Sequence, residues 1–182
     1  MRYIVTGLIL LLSGCVGIPE GIAPIDNFDV DRYSGKWYEI ARLDHSFERG
    51  MEQVSAEYSM RDDGGVKVLN RGFDTDSQEW NEAEGKAYFV DAENVGHLKV
   101  SFFGPFYGSY IVFELDQNEQ YSFVTSSDRS YLWFLSRTKE IDDSLKQHFI
   151  DRVTALGFDT ENIIFVNQKN NQDDASQEIK TQ

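Results

Sequence analysis

The feature that most constrains the fold is a repeated alternation of apolar and polar residues between positions 35 and 137. Clusters of Gly, Asp, Asn and Pro separate each alternating stretch from the next. The pattern predicts strands near 36–43, 53–60, 65–73, 84–90, 97–103, 108–115, 120–126 and 130–137. Because turn residues join consecutive strands, we expect an all-β, eight-stranded up-and-down antiparallel barrel, whose closure removes the exposed sheet edges.

One helix is predicted after the barrel. Asp142 or Asp143 can cap its start, and Gly157 can end it in a left-handed turn. Its apolar residues recur every three or four positions, which predicts a stripe packed on the outside of the barrel: Ile141, Leu145, Phe149, Val153 and Leu156. The apolar run 163–166 predicts a short final strand. The polar residues 168–182 are expected to form a disordered tail.

The first residues have the pattern of an export signal. Arg2 precedes a mostly apolar run, positions 3–12, that is too short to be a permanent membrane span. The run ends in Leu12-Ser13-Gly14-Cys15, which resembles the signal of bacterial lipoproteins, in which the cysteine is acylated after cleavage before it. We therefore expect a lipoprotein signal peptide over 1–14, lipidation at Cys15 and a tether over 15–28. The other interpretation is an ordinary secretory signal with a chance cysteine.

Composition and charge limit the classes of function. The chain has 182 residues, one cysteine and a formal net charge of −14. A protein this acidic is not expected to bind nucleic acid, because phosphates require basic surfaces. The single cysteine excludes an intramolecular disulfide bond. We expect one folded domain over 29–167.

Three short motifs are similar to those of a known family. Gly35-x-Trp37 lies at the start of the first strand, Leu115-Asp116 at the end of the sixth, and Ser136-Arg137-Thr138 at the end of the eighth. Together with the order of strand meander, helix and short strand, they resemble the lipocalins over residues 27–167. In the second motif only Asp116 matches the usual Thr-Asp-Tyr pattern.

Longer segments resemble the bacterial outer-membrane lipocalins in particular. The similar segments are 37–42, 47–50, 61–65, 84–89, 99–108, 128–129 and 131–133. This resemblance agrees with the lipoprotein signal. It implies a location at the bacterial outer membrane, held there by a lipid anchor, and Val16 after Cys15 is consistent with that sorting.

The resemblance implies structural roles for Gly35, Trp37, Asp116 and Arg137. We expect the Arg137 guanidinium to lie over the Trp37 indole at the closed end of the barrel, where cation–π attraction contributes about 0.5–2 kcal/mol. The arginine can also donate hydrogen bonds to the backbone near the start of the first strand. Neither residue is expected to be catalytic.

Strand alternation and the resemblance together predict which side chains line the barrel. The expected lining residues are Glu39, Ala41, Val54, Ala56, Tyr58, Val66, Val68, Ala87, Phe89, Leu98, Val100, Phe102, Tyr110, Val112, Val124, Tyr131, Trp133 and Leu135. Small residues among aromatic ones favour a ligand cavity, although a filled core remains an alternative. Since a lone buried carboxylate is costly, Glu39 is expected to pair with a Lys or Arg.

Several functional alternatives stay open from the sequence. The expected function is binding of fatty acids or lysophospholipids, without a cofactor, for the lipid storage, transport or envelope maintenance that the resemblance implies. The aromatic loop 102–107 is either core or an exposed rim that touches a membrane or a second copy, which would make a homodimer. The alternatives are a binder of haem or another small hydrophobic ligand, with His45, His97 or His148 as axial ligand, and a purely structural envelope lipoprotein. No catalytic motif indicates an enzyme.

Overall fold

The computed structural model describes residues 16–169. The signal peptide, Cys15 and positions 170–182 therefore lie outside the described residues. The elements, in chain order, are α1 (Val30–Tyr33), β1 (Gly35–Leu43), β2 (Met51–Met60), β3 (Val66–Asp74), β4 (Glu79–Phe89), β5 (His97–Ser101), β6 (Gly108–Leu115), β7 (Tyr121–Thr125), β8 (Leu132–Ser136), α2 (Asp143–Ala155), a 3₁₀ turn (Thr160–Asn162) and β9 (Ile163–Phe165). None of the helices in this part of the chain is long and apolar enough to span a membrane.

The strands form a closed antiparallel barrel. Neighbours in the sheet follow the order β2-β3-β4-β5-β6-β7-β8-β1-β9, and β1 also pairs with β2, which closes the ring. The predicted eight-stranded barrel, single external helix and short final strand are confirmed. The short helix α1 was not predicted. It begins at the N-cap Asp29, whose side chain accepts hydrogen bonds from the amides of Asp31 and Arg32.

The strand β4 starts at Glu79, five positions before the predicted start at 84. Its first half pairs with β3 from Asp74↔Glu79 to Leu69↔Glu84. Every residue from Glu79 to Glu84 is exposed, so neither face carries the apolar alternation from which the strand was predicted. The long hairpin is therefore defined by backbone pairing rather than by burial.

The helix α2 packs against the outer face of the barrel. Asp142 caps it by accepting the amide of Leu145 at 2.7 Å. The Phe149 ring lies 4.8 Å from the ring of Phe134 and 5.0 Å from that of Phe123. Phe149 belongs to the apolar stripe that helical spacing predicted for α2. The stripe and the sheet bury an apolar cluster between them, which is separate from the barrel interior.

The barrel has two different ends. The closed end consists of α1 and the loops 61–65, 90–96 and 116–120, and the open end consists of the loops 44–50, 75–78, 102–107 and 126–131. Since the strands alternate in direction, β1 leaves the closed end and β2 leaves the open end. The half of the barrel next to the loops of the open end is called the open half below.

The segment expected to be a tether lies along the outside of the barrel. Near the open end, Ser109 donates to the carbonyl of Gly17 at 2.9 Å. Further along, the Ile25 amide donates to the carbonyl of Val112 at 2.9 Å, and the Phe28 amide donates to that of Asn94, also at 2.9 Å. The buried side chains of Ile22 and Phe28 add apolar contacts. Residues 16–28 are therefore packed as part of the domain.

The end of the described chain completes the barrel wall. The strand β1 pairs with β2 over Gly35–Tyr38 but with β9 over Ala41–Leu43, so β1 and β2 separate in the open half. The Gln168 side chain bridges this gap by donating to the carbonyls of Glu39 and Val54, at 2.7 and 2.8 Å. Gln168 was expected to begin a disordered tail, and it is buried instead.

Candidate ligand-binding site

The closed end is held together by Arg137 and Trp37. The guanidinium carbon lies 3.8 Å from the centre of the indole ring. Arg137 also donates to the carbonyls of Lys36, Arg32 and Tyr33, at 3.0, 2.8 and 3.1 Å. The indole of Trp37 donates to the Tyr33 carbonyl at 2.8 Å. These bonds fix α1 across the end of the barrel.

The two other residues with expected structural roles shape turns. Gly35 has φ +91°, and the nearest atom to a side chain there would be a guanidinium nitrogen of Arg137 at 3.6 Å. A left-handed backbone of this kind favours glycine. The Asp116 carboxylate accepts the amides of Asn118 and Gln120, at 3.0 and 3.2 Å. It thereby shapes the turn between β6 and β7 at the closed end.

Three tyrosines form a hydrogen-bonded layer above this end. The Tyr110 hydroxyl lies 2.8 Å from the hydroxyls of both Tyr33 and Tyr58, and Tyr33 also reaches Ser122 at 3.2 Å. Burial raises the pKa of Tyr33 to about 12, and it raises the pKa values of Tyr58 and Tyr110 well above the ordinary range. The layer therefore stays neutral at physiological pH and presents hydroxyl groups inside an apolar barrel.

The tyrosine layer leaves little empty space around it. One cavity there has a volume of about 10 Å³, which is enough for a single water molecule. It is lined by Phe28, Val30, Tyr33, Tyr58, Val66, Val68, Ala87, Leu98, Val100 and Tyr110. The interior next to the closed end is therefore packed, and the cavity expected from the sequence does not extend into it.

The open half of the barrel has more accessible space. On β4, Gly85 and Ala87 are buried, but Ala83 and Asn81, which continue the same alternation toward the open end, are exposed. The expected lining residues around them are only partly buried: Ala56, Val100, Phe102, Tyr110, Tyr131 and Trp133. The Phe102 ring lies over Gly85, where any side chain on the glycine would clash with it at 2.8 Å.

Most of the remaining expected lining residues lie in the packed interior. Val112, Val124 and Leu135 belong to the interior apolar cluster, against which Phe89 packs. Val54 is buried beside Gly72.

Ala41 does not line the interior, which corrects the expectation from strand alternation. Its neighbour across the sheet is Phe134, and both belong to the apolar cluster beneath α2. The pairing of β1 with β8 shifts by one residue between Glu39 and Ala41, as in a β-bulge. A bulge changes the face on which later residues point. Consequently it is Arg42, and not Ala41, that lies on the same face of the sheet as Trp133.

A buried charged cluster lies at the edge of the open half. The Arg42 guanidinium donates to the Glu39 carboxylate at 2.7 Å and to the Glu48 carbonyl at 2.8 Å. The Glu48 carboxylate lies 3.0 Å from Nε2 of His45 and accepts the Trp133 indole N–H at 3.2 Å. The partner expected for Glu39 is thus Arg42, three positions later on the same strand.

Burial of the charged groups in this cluster costs free energy. Burial, followed by the nearby charge of Glu48, raises the pKa of Glu39 well above its ordinary value, although Arg42 opposes the shift. Within residues 16–169, Arg42 Nε, Gln168 Oε1 and His45 Nδ1 are buried without a hydrogen-bond partner. In the same described residues, Asn70 Oδ1 is also buried without a hydrogen-bond partner. Asn70 lies on β3, with Ala56 and Ala83 as its neighbours on the two adjacent strands. Such groups can accept hydrogen bonds from a polar headgroup or donate hydrogen bonds to it.

Aromatic rings cover the cluster at the open end. The His45 ring stacks on Phe47 with 4.0 Å between centres, and it lies 5.3 Å from the ring of Trp133. Tyr131 stacks on Trp133 at 5.8 Å. The loop 44–50 therefore folds over one side of the opening.

Two of the three histidines proposed as axial ligands of a haem lie away from the opening. His97 contacts Asp91 near the closed end at 2.8 Å, and His148 lies on α2, where it contacts Glu114. Only His45 is close to the open half. Among the described residues, no three His, Cys, Asp or Glu side chains are grouped so as to hold a metal ion.

Sequence reasoning missed Tyr33, Arg42, Glu48 and Asn70 as residues of this site. Tyr33 belongs to a helix of four residues, which is too short for a periodic signal. Arg42 is displaced by the bulge, and Glu48 lies in a loop. Asn70 continues the inward alternation of Val66 and Val68, and that alternation is the signal that could have identified it.

Comparison with known proteins agrees with this geometry. A family model described as a lipocalin-like domain matches residues 28–168. The chain is 55% identical over 161 residues to the outer membrane lipoprotein Blc of Vibrio cholerae, covering 88% of this chain and 94% of that protein. It is 52% identical over 150 residues to Blc of Escherichia coli K12, covering 82% and 85%.

The solved structures agree on the fold. Insecticyanin from the tobacco hornworm Manduca sexta superposes with a TM-score of 0.67 at 20% identity, over 86% of this chain and 88% of that one. Lipocalins are generally binding proteins. From the matching domain, the closed barrel and its relatives, we conclude that this chain belongs to the lipocalin family and is an outer-membrane lipoprotein of that family.

Proposed function

We propose that this lipocalin binds a single-chain lipid, either a fatty acid or a lysophospholipid, in the open half of its barrel. The observation that carries the proposal is the combination of an apolar, partly accessible wall with unpartnered polar groups beside it. The wall includes Val100, Phe102 and Trp133, and the polar groups are Arg42 Nε and Asn70 Oδ1. This pairing suits a molecule with one long apolar part and one polar head.

The packed closed end determines how far the ligand reaches. A cavity of about 10 Å³ beside the tyrosine layer holds no part of an acyl chain, since ligand pockets usually measure ~300–1,000 Å³. The acyl chain therefore lies above Tyr110, and rotation of the Phe102 ring away from Gly85 lengthens the available space. The headgroup lies near the buried charged cluster or at the opening.

Acylation of Cys15 would hold the binding site at the membrane surface. A single acyl chain gives only marginal membrane binding, whereas two or more give a stable anchor. A tethered lipid binder at the outer membrane fits storage or transport of lipids, or maintenance of the envelope under stress. Mass spectrometry of the mature N-terminus tests the acylation directly.

Equilibrium titration with a C16 fatty acid and with a C16 lysophospholipid tests the binding. We expect saturable binding of one lipid per chain. The Ala56→Phe variant should bind at least about tenfold more weakly, because a phenyl group fills the open half, and tenfold corresponds to about 1.4 kcal/mol. Ser59→Phe is the matched control, since Ser59 lies on the same strand and is exposed.

Two results would contradict the proposal. Absence of saturable binding to either lipid would favour the filled barrel of a structural envelope lipoprotein. Equal affinity of wild type and Ala56→Phe would place the lipid outside the barrel. A haem titration that shifts the Soret band, and that His45→Ala abolishes, would support the other ligand class.

A further inference from the structure

Large aromatic side chains are exposed at the open end of the barrel. Phe103 and Phe106, in the loop 102–107, are 82% and 76% exposed, and Phe47 and Trp80 are 55% and 45% exposed. These four residues are called the aromatic rim below. The large exposed apolar side chains at the closed end are Met60 and Val90, neither of which is aromatic. Aromatic residues this exposed usually mark a surface that contacts something else.

Phe103 and Phe106, the two most exposed residues of the aromatic rim, are presented on a structured loop. Tyr107 is held against the barrel wall by Lys99, whose ammonium lies 5.4 Å from the ring centre, and by Tyr88 at 6.4 Å between ring centres. The Phe106 amide donates to the Phe103 carbonyl at 3.2 Å, which closes a turn. The base of the loop is therefore fixed, and the two phenylalanine rings extend from its tip.

The chain leaves the described part of the molecule at the same end. The Gly17 carbonyl is bound by Ser109, the second residue of β6, and β6 begins directly after the aromatic loop. Arg129, in the loop 126–131, donates to the Glu20 carbonyl. In the sequence, Cys15 stands two positions before Gly17. A lipid anchor at Cys15 would thus emerge beside the aromatic rim.

We propose that the aromatic rim rests on the membrane surface to which the chain is anchored, so that the barrel opening faces the bilayer. Aromatic side chains are favoured at the boundary between headgroups and acyl chains. Because the chain carries a net charge of −14, apolar contact rather than charge attraction brings the rim to the lipid. A single-chain lipid would then pass between bilayer and barrel with little exposure to water. This inference rests on the proposed anchoring and lipid binding.

Quenching by brominated lipids tests the orientation in the full-length, acylated protein. The protein is reconstituted into phosphatidylethanolamine–phosphatidylglycerol vesicles that contain a phospholipid brominated on its acyl chains. We expect most of the emission added by Phe106→Trp to be quenched. Val90→Trp is the matched control at the closed end, and its added emission should remain unquenched. The difference should persist at high salt, since salt screens charge but not apolar contact.

Other outcomes overturn the proposed orientation. Equal quenching of the two tryptophans, or quenching of Val90→Trp alone, would place another surface on the membrane. A concentration-dependent dimer that Phe103→Ser/Phe106→Ser abolishes, with no quenching of Phe106→Trp, would show that a second copy covers the rim. Wild-type protein that fails to float with the vesicles would remove the anchor on which the orientation depends.

The two proposals fail separately. In solution, the Phe103→Ser/Phe106→Ser variant should bind the C16 fatty acid with the affinity of the wild type, since neither residue lines the open half. If quenching fails while this affinity is unchanged, the orientation is wrong and the binding proposal stands. If lipid binding is absent from the wild type, the binding proposal fails whatever the vesicles show.

Discussion

The two ends of the barrel use similar residue types for different purposes. At the closed end, Trp37 and Tyr33 are completely or almost completely buried, and Arg137 donates to the carbonyls around them. At the open end, Phe103 and Phe106 are exposed. Within residues 16–169, several buried polar atoms near Arg42 lack partners, compared with His97 Nε2 near the closed end. The closed end therefore leaves less apolar surface and fewer polar groups unused than the open end does. Unused capacity of this kind indicates where a ligand or a membrane binds.

The charged groups show the same contrast. Arg137 lies over an indole and is bonded to backbone oxygens, so its surroundings are complete without a ligand. Arg42 lies between Glu39 and the backbone of the loop 44–50, beside a second carboxylate, and its Nε has no partner within the described residues. A buried cluster that is only partly satisfied is costly. We infer that binding recovers part of this cost.

The two ends should differ most in how much their aromatic residues contribute to the free energy of unfolding. Trp37→Ala should lower the free energy of unfolding by about 3–5 kcal/mol, because it removes a fully buried indole and the partner of Arg137. Phe103→Ala, at the open end, should change it by less than about 0.5 kcal/mol, since the ring is exposed. Urea unfolding followed by circular dichroism measures both. Similar losses for the two variants would contradict the distinction.

A smaller effect should appear in the pH dependence of stability. The raised pKa of Glu39 means that the folded protein retains a proton which the unfolded chain has released, so the stability that Glu39 contributes should fall as pH rises above about 4.5. Glu48, Arg42 and His45 are the charged or titratable groups around it. One proton contributes at most about 1.4 kcal/mol per pH unit.

Glu39→Gln is the matched variant for this prediction, because glutamine resembles the protonated acid. The difference in unfolding free energy, wild type minus Glu39→Gln, should decrease from pH 5 to pH 8 in urea titrations. A difference that stays constant or increases over this range would show that Glu39 is ionised in the fold throughout.

The sequence predicted the barrel because closure and the external helix depend on periodic burial. The alternation of Val66, Lys67 and Val68 and the helical stripe through Phe149 and Val153 are strong signals of this kind. The first half of β4 gave no such signal, because its two faces are equally exposed. Backbone pairing with β3 determines that part of the strand, and such pairing does not require a particular pattern of side chains.

The candidate site was only partly predictable for a similar reason. Alternation placed Ala56 and Tyr58 in the barrel interior, and the resemblance placed Tyr110 there, in agreement with the interior cluster. One bulge in β1, however, moved Ala41 outward and Arg42 inward. Gln168 reaches the barrel wall from beyond β9, and nothing in a polar tail indicates such a contact. Contacts between residues distant in the chain require the tertiary structure.

A lipid in the open half of the barrel should stop above the tyrosine layer. The most direct test is titration with a fatty acid brominated at mid-chain, which quenches only nearby tryptophans. Trp133 lies at the open half, and Trp37 lies below the layer, against Arg137. We predict quenching in the wild type and in Trp80→Phe. In Trp133→Phe the quenching should be lost even at fatty-acid concentrations that calorimetry shows to saturate that variant. Quenching that survives in Trp133→Phe would contradict the account.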